Sequence, residues 1–159
     1  MTASATPAAS PSIEAIAYDS PVAMALIEEL QAEYVIRYGG RDDTPVDPAQ
    51  FAAPAGAFLV MRVDGEVAGC VGLRRHDDRR VEVKRMFVRP AFRGRGLSRW
   101  LLARVEDQGR TLGYTRVLME TGVKQPEAMR LYETSGYEPI PGFGHYAHAP
   151  DNRCYAKDL

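Results

Sequence analysis

The chain has 159 residues, 45% of them apolar, a size that supports one domain around one core and is short for two. It holds no run of 18 apolar residues to cross a bilayer, and its N-terminus lacks the basic and apolar stretches of a secretory leader, so a cytoplasmic protein without membrane partners is expected. The net charge of −1 with a pI near 6.3, and no aromatic series beside the basic residues, argue against a nucleic-acid partner.

Residues 1–12 are rich in Ala, Ser, Thr and Pro without apolar periodicity and read as a disordered tail, leaving one domain over residues 13–159. Ile13 to Tyr18 reads as a strand. Ser20-Pro21 supplies an N-cap and an N1 proline for a helix to about Tyr38, with Ala23, Leu26, Ile27, Leu30 and Tyr34 as its apolar face. From Gly39 to Gly56 the chain is a polar loop broken by Pro45, Pro48 and Pro54, a candidate lid or substrate wall. Ala57 to Val63 and Glu66 to Leu73 flank Asp64-Gly65, the chemistry of a two-residue hairpin. Val81 to Val88 returns as a strand that Pro90 ends, and Leu97 to Leu112 is an amphipathic helix stopped by Gly113. Val117 to Glu120 is a short strand and Pro126 to Thr134 a short helix. Tyr137 to Ile140 and Cys154 to Lys157 are late strands that could close a sheet. The predicted order, β-α-β-β-β-α-β-α-β-β, implies an α/β fold. Its mixed, largely antiparallel sheet is flanked by helices, with one β-α-β crossover through residues 81–120.

Charge is unevenly placed. Residues 1–66 carry ten acids against three bases, whereas residues 84–110 carry eight bases against Glu106 and Asp107. A positive field of that kind suits a phosphorylated small molecule. It centres on Val88 to Arg99, where a strand runs through arginine and glycine directly into a helix. Helix N-terminal amides lack partners and the dipole favours an anion there, Gly94 and Gly96 bare the backbone, and Arg93, Arg95 and Arg99 can neutralise a phosphate. The simpler alternative is a tight turn beside solvated arginines. Neither G-x-x-x-x-G-K-[ST] nor G-x-G-x-x-G is present.

Arg93-Gly94-Arg95-Gly96-Leu97-Ser98 resembles the Q/R-x-x-G-x-G/A coenzyme A signature of the GNAT family of N-acetyltransferases. Gln125-Pro126-Glu127-Ala128-Met129-Arg130-Leu131-Tyr132-Glu133-Thr134-Ser135-Gly136-Tyr137 resembles the family's N-x-x-A-x-x-L-Y-x-x-x-G-F/Y segment. With the hairpin and strands between, the resemblance covers about 90 residues in the correct order. Ser98 stands where Gly or Ala is usual, and Gln125 where Asn is usual. The resemblance implies acetyl-CoA as co-substrate, held by Met86, Phe87 and Val88, by Arg93 to Arg99 and by Gln125, and transfer to the primary amine of a small molecule by direct attack. An alkylamine titrates at roughly 10, so some group must accept its proton. Glu82 matches the family's strand-borne base, the alternative being a strand carboxylate paired with Lys84 or Arg85. Tyr132 matches the tyrosine that acts as general acid toward the departing thiolate, the alternative being a packed helix tyrosine. Strand alternation puts Glu82, Lys84, Met86 and Val88 on one face unless a bulge intervenes.

The resemblance also places the acceptor between residues 34–44 and 142–148, with Tyr34, Tyr38 and His145 as candidate contacts. The acidic bias of residues 1–66, including Glu33, Asp42 and Asp43, favours a cationic amine, whereas Arg37 and Arg41 favour a carboxylate-bearing acceptor. His76, His145 and His148 lack metal-type spacing and no metal is expected; Cys70 and Cys154 read as buried reduced thiols. A homodimer remains open. A non-catalytic acyl-CoA sensor is the competing reading, and it would need the cradle but neither Glu82 nor Tyr132.

Overall fold

The computed structural model describes residues 10–159. The predicted order of elements is the observed one: β1 (Pro11–Ala15), α1 (Pro21–Tyr38), β2 (Ala57–Val63), β3 (Glu66–Arg75), β4 (Arg80–Val88), α2 (Leu97–Thr111), β5 (Arg116–Gly122), α3 (Pro126–Thr134), β6 (Glu138–Ile140) and β7 (Asn152–Asp158). Single turns of 3-10 helix at Pro48–Phe51 and Pro90–Phe92 are added. The first strand differs from expectation. It begins at Pro11, so Pro11 and Ser12 pair with Val63 and Arg62 rather than belonging to a tail, and it ends at Ala15. The rest of the expected tail, residues 1–9, lies outside the described residues.

Among the described residues the strands form one seven-stranded sheet in the order β1-β2-β3-β4-β5-β7-β6, in which only β4 and β5 are parallel. Asp64 and Gly65 carry the positive φ values, 51° and 82°, that the tight β2–β3 turn demands. Ser20 caps α1 through its side chain, and Gly39 closes the helix in the left-handed conformation. Two apolar clusters fill the two sides of the sheet. One joins α1 (Ala23, Leu26, Ile27, Leu30) to Phe51, Phe58, Val60, Cys70 and Phe87. The other joins α2 (Leu97, Leu101, Leu102, Val105) and Tyr132 of α3 to Val81, Val83, Val88, Val117 and Met119. Among the described residues no helix is long and apolar enough to cross a membrane.

Two irregularities of β4 shape the site. Lys84 pairs with Gly72 and Phe87 with Cys70, so Arg85 and Met86 together oppose Val71, and Arg85 has a φ of 58°. This is a β-bulge. It corrects the expected alternation: Glu82 and Lys84 lie on the α1 side, but Met86 and Val88 pack with the α2 cluster, and Phe87 turns to α1. The second is a parting of strands. β4 and β5 pair only from Arg80 opposite Arg116 to Val83 opposite Met119; beyond that, β4 follows β3 and β5 follows β7 to Gly122. A cleft opens between their C-terminal ends.

Candidate active site

The end of β4 feeds the basic turn. Gly94 and Gly96 have φ of 77° and 74°, a conformation glycine adopts without steric cost, and no side chain caps the first amides of α2. Arg93 donates from Nε to the Val88 carbonyl at 2.9 Å, lies over the Phe87 ring and pairs with Glu33 of α1. Arg99 reaches Ser135 Oγ at 2.8 Å and Thr134 Oγ1 at 2.9 Å, tying the start of α2 to the end of α3. Arg95 lies over Phe92 and reaches only the Ala91 carbonyl at 3.3 Å. The turn is therefore braced on both sides while its helix amides and Arg95 remain available, an arrangement that fits a diphosphate.

The end of β5 lines a cavity of about 420 Å³, large enough for a small organic molecule. Its walls come from Tyr34 and Tyr38 of α1, Arg41, Asp42 and Asp43 of the following loop, Glu120 to Gly122, Gln125, Tyr146 with Asp151 from the β6–β7 connection, and Asn152. Tyr38 donates to Gln125 Oε1 at 3.0 Å, which also accepts from Thr121 at 3.3 Å. A Cβ on Gly122 would collide with the Tyr38 hydroxyl, so the bare backbone there is what lets α1 cross the strand end. Over the mouth, Asp43 Oδ1 accepts from the Tyr146 hydroxyl at 2.6 Å and sits 3.0 Å from His145 Nε2. Burial, and then Asp43, push the Tyr146 phenol up to about 12.

Under the cavity lies a buried charge cluster. Lys84 Nζ is 3.6 Å from Glu82 Oε1, 3.8 Å from Glu120 Oε1 and 3.9 Å from Asp42 Oδ2. Arg85 pairs with Asp42, and Arg74 Nε donates to Glu82 Oε2 at 3.0 Å. The bulge is the cause: it turns two successive basic side chains, Lys84 and Arg85, to the same carboxylate.

A model of the acetyltransferase (GNAT) family matches residues 23–137. The chain belongs to the GNAT family. An IAA acetyltransferase of Azospirillum brasilense is 38% identical over 148 residues, covering 91% of this chain and 97% of that protein. A Klebsiella pneumoniae structure described as a candidate acyl-CoA N-acyltransferase superposes with a TM-score of 0.79 at 28% identity, over 94% of this chain and 97% of the other. A GNAT acetyltransferase of Elizabethkingia anophelis with acetyl-CoA bound shares the fold at a TM-score of 0.64 and 18% identity, over 94% and 98% of the two chains. The chain is thus an acyltransferase.

Within this GNAT fold the residues singled out from sequence fall into three places. Arg93 to Arg99 form the turn and the start of α2, with Met86 to Val88 on the strand that leads to it. Tyr34, Tyr38 and Gln125 line the cavity, Gln125 on the side of the acceptor residues and hydrogen-bonded to one of them, and His145 sits at its rim. Glu82 does not reach the cavity lining: its side chain is 5% exposed, clamped by Arg74, and stands opposite Leu118, before the strands part. Tyr132 is buried on the α2 side, its ring 5.8 Å from Tyr155 and 5.9 Å from Tyr137, and burial followed by Tyr155 pushes its phenol up to about 12. Cys70 and Cys154 are free and buried, and burial pushes both thiols up. Sequence reasoning named Lys84 as a partner for Glu82, which it pairs with at 3.6 Å, but missed Glu120 and Gln31. Buried Gln31 holds the loop to α1, donating to the Asp42 carbonyl at 3.0 Å and accepting from its amide at 2.8 Å.

Proposed function

We propose that this acetyltransferase takes an acetyl group from acetyl-CoA to the primary amine of a small cationic molecule by direct attack. The observation that carries the reading is the parting of β4 from β5 past Val83. One strand leads from the cleft to the anion-binding turn, and the other lines the acceptor cavity, so a thioester held by the first meets an amine held by the second. Acetyl-CoA supplies the activated carbonyl: the amine nitrogen forms a C–N bond with it, and the C–S bond breaks with its electron pair left on sulfur.

The rest is the work of the chain. The uncapped amides of α2, with Arg95, hold the diphosphate, and the β4 backbone at Met86 to Val88, no longer paired to β5, offers groups to orient the thioester. The buried carboxylates around Lys84 take the proton that the ammonium must lose. With its phenol at about 12, Tyr132 keeps its proton toward a thiolate whose conjugate acid titrates at roughly 8.5, so its contribution is a hydrogen bond to sulfur as charge develops there. Arg37 pairs with Glu127, and Arg41, though it lines the cavity, has its charge engaged by Glu28, which leaves the acids and tyrosines of the cavity to define the acceptor. That balance favours a cationic amine over a carboxylate-bearing one.

The test is thiol release from acetyl-CoA across a panel of polyamines, aminoglycosides, aralkylamines and amino acids, beside calorimetric titration of CoA. Release that depends on a cationic amine is expected. Tight CoA binding with no turnover on any amine would return the sensor reading, and absence of CoA binding would remove both.

A further inference from the structure

Three carboxylates lie within 4.0 Å of Lys84, and the two that come from strands, Glu82 and Glu120, are not equivalent. Glu82 has one oxygen, Oε2, held by Arg74 at 3.0 Å, and lies away from the cavity lining. Glu120 stands one residue past the last β4–β5 pair and lines the cavity, although its side chain is only 6% exposed. Among the described residues its Oε1 has no hydrogen-bond partner; Glu82 Oε1 has none either, but Glu82 does not line the cavity, so only at Glu120 can a bound acceptor supply the missing donor. Among the described residues the one cation within 4.0 Å of Glu120 Oε1 is Lys84, at 3.8 Å and outside hydrogen-bond reach. The other oxygen has the Cys154 thiol at 3.9 Å, and the β6–β7 connection lies so close that a Cβ on Gly144 would sit 2.8 Å from Oε2. A buried carboxylate oxygen left without a donor is costly, and natural sites keep one where a ligand proton completes it.

We propose that Glu120 is the group that accepts the acceptor's proton, with Lys84 as the positioning residue that keeps its carboxylate ionised and Glu82 as the countercharge that anchors Lys84. This rests on the acetyl-transfer reading above. The ammonium N–H bond breaks and an O–H bond forms at Glu120 Oε1, leaving a neutral amine with its lone pair free and a neutral carboxyl that later returns the proton to water. No other reactant is needed. Burial raises the Glu120 carboxyl above the ordinary range, against the pull of Lys84 and with the push of Glu82 and Asp42, which narrows its gap to the amine. The groups facing it are Lys84 and Glu82 on β4, Asp42 after α1, and Asn152, whose side chain favours the ionised form, with Cys154 on β7, while Tyr34, Tyr38 and Tyr146 share the cavity.

The experiment is a pH profile of kcat/KM on the full chain for wild type, E120Q, E82Q and K84M. It uses the best alkylamine from the thiol-release panel and, separately, hydroxylamine, which is unprotonated at neutral pH. E120Q should bind CoA and melt like wild type, lose about 100-fold or more in kcat with the alkylamine together with the acidic limb of the profile, and recover most of that loss with hydroxylamine. E82Q removes a neighbouring negative charge, so the limb should persist and move to lower pH; K84M removes the positive one and should move it to higher pH. An E120Q enzyme that keeps the limb, or is equally slow with hydroxylamine, or loses CoA binding, overturns the assignment while leaving acetyl transfer standing. A wild type that turns over no amine overturns both.

Discussion

Burial pushes the Asp42 carboxyl up, but Lys84, Arg85 and the Thr44 hydroxyl and amide outweigh it and hold the group at about 2 rather than 3.8. A carboxyl depressed by folding stabilises the native state fully above its unfolded pKa, and that stabilisation fades as pH falls through the folded one. The window here runs from about pH 4 down to about 2, and the shift is worth roughly 2 kcal/mol. Asp42→Asn is therefore expected to unfold at lower urea at pH 7 by an amount on that scale, with the gap to wild type closing below about pH 3. An equal gap at pH 7 and at the acid end would mean that Asp42 acts through shape alone. Individual residues are unevenly legible in the sequence. Tyr34 and Tyr38 stand out as aromatics on a helix beside a polar loop, and they line the cavity. Asp42 is visible only as one acid of an acidic half, because its partners arrive from a strand more than forty residues away. Glu120 ends the apolar run Val117-Leu118-Met119 and looks like an ordinary polar strand terminus; what sets it apart is the departure of β4 from its side, which no local pattern encodes.

At the scale of elements, strands and helices are readable because each carries its own period and stops. The bulge is written in β4 as well. Apolar residues alternate at 81 and 83, two bases follow at 84 and 85, and Met86-Phe87-Val88 are all apolar, so the interruption marks where the alternation breaks but not which faces the last three residues take. An alternation extended through that break puts Met86 and Val88 on the wrong side. The turn into α2 is legible for the opposite reason, since its glycines and arginines carry their chemistry locally. Nothing lies within 4 Å of a Cβ added at Gly96, so an alanine there meets only the cost of its φ of 74°. That cost is about 1 kcal/mol. Gly96→Ala is expected to lower stability by about that amount and to weaken CoA binding several-fold in calorimetry, because relieving the strained φ turns the first amides of α2 away from the phosphates. Unchanged CoA affinity in a destabilised variant would move the diphosphate away from this helix start.

Across the whole molecule, the sheet is continuous from β1 to β4 and from β5 to β6 but joined between those halves by only four paired residues on each strand. The sequence pattern supplies the number of strands and not this seam, nor the insertion of β7 between β5 and β6, because pairing of distant strands is decided by packing rather than by local period. A ligand lying in the cleft and reaching the α2 N-terminus would bridge the halves and stabilise them together. At a CoA concentration 100-fold above Kd, mass action adds about 2.7 kcal/mol, which for a domain of this size raises Tm by roughly 5–10 °C. Pantetheine, which lacks the phosphates, should give far less at equal concentration if the helix start carries the binding. Hydrogen exchange separates this from a general tightening. Protection by CoA is expected along the C-terminal half of β4, the 93–99 turn and the start of α2, with β1, at the sheet edge beyond β2 and β3, exchanging as in the free protein. Protection spread evenly over the chain, or equal shifts from pantetheine and CoA, would mean that the diphosphate is not held by the turn and that the cleft between β4 and β5 is not where the thioester lies.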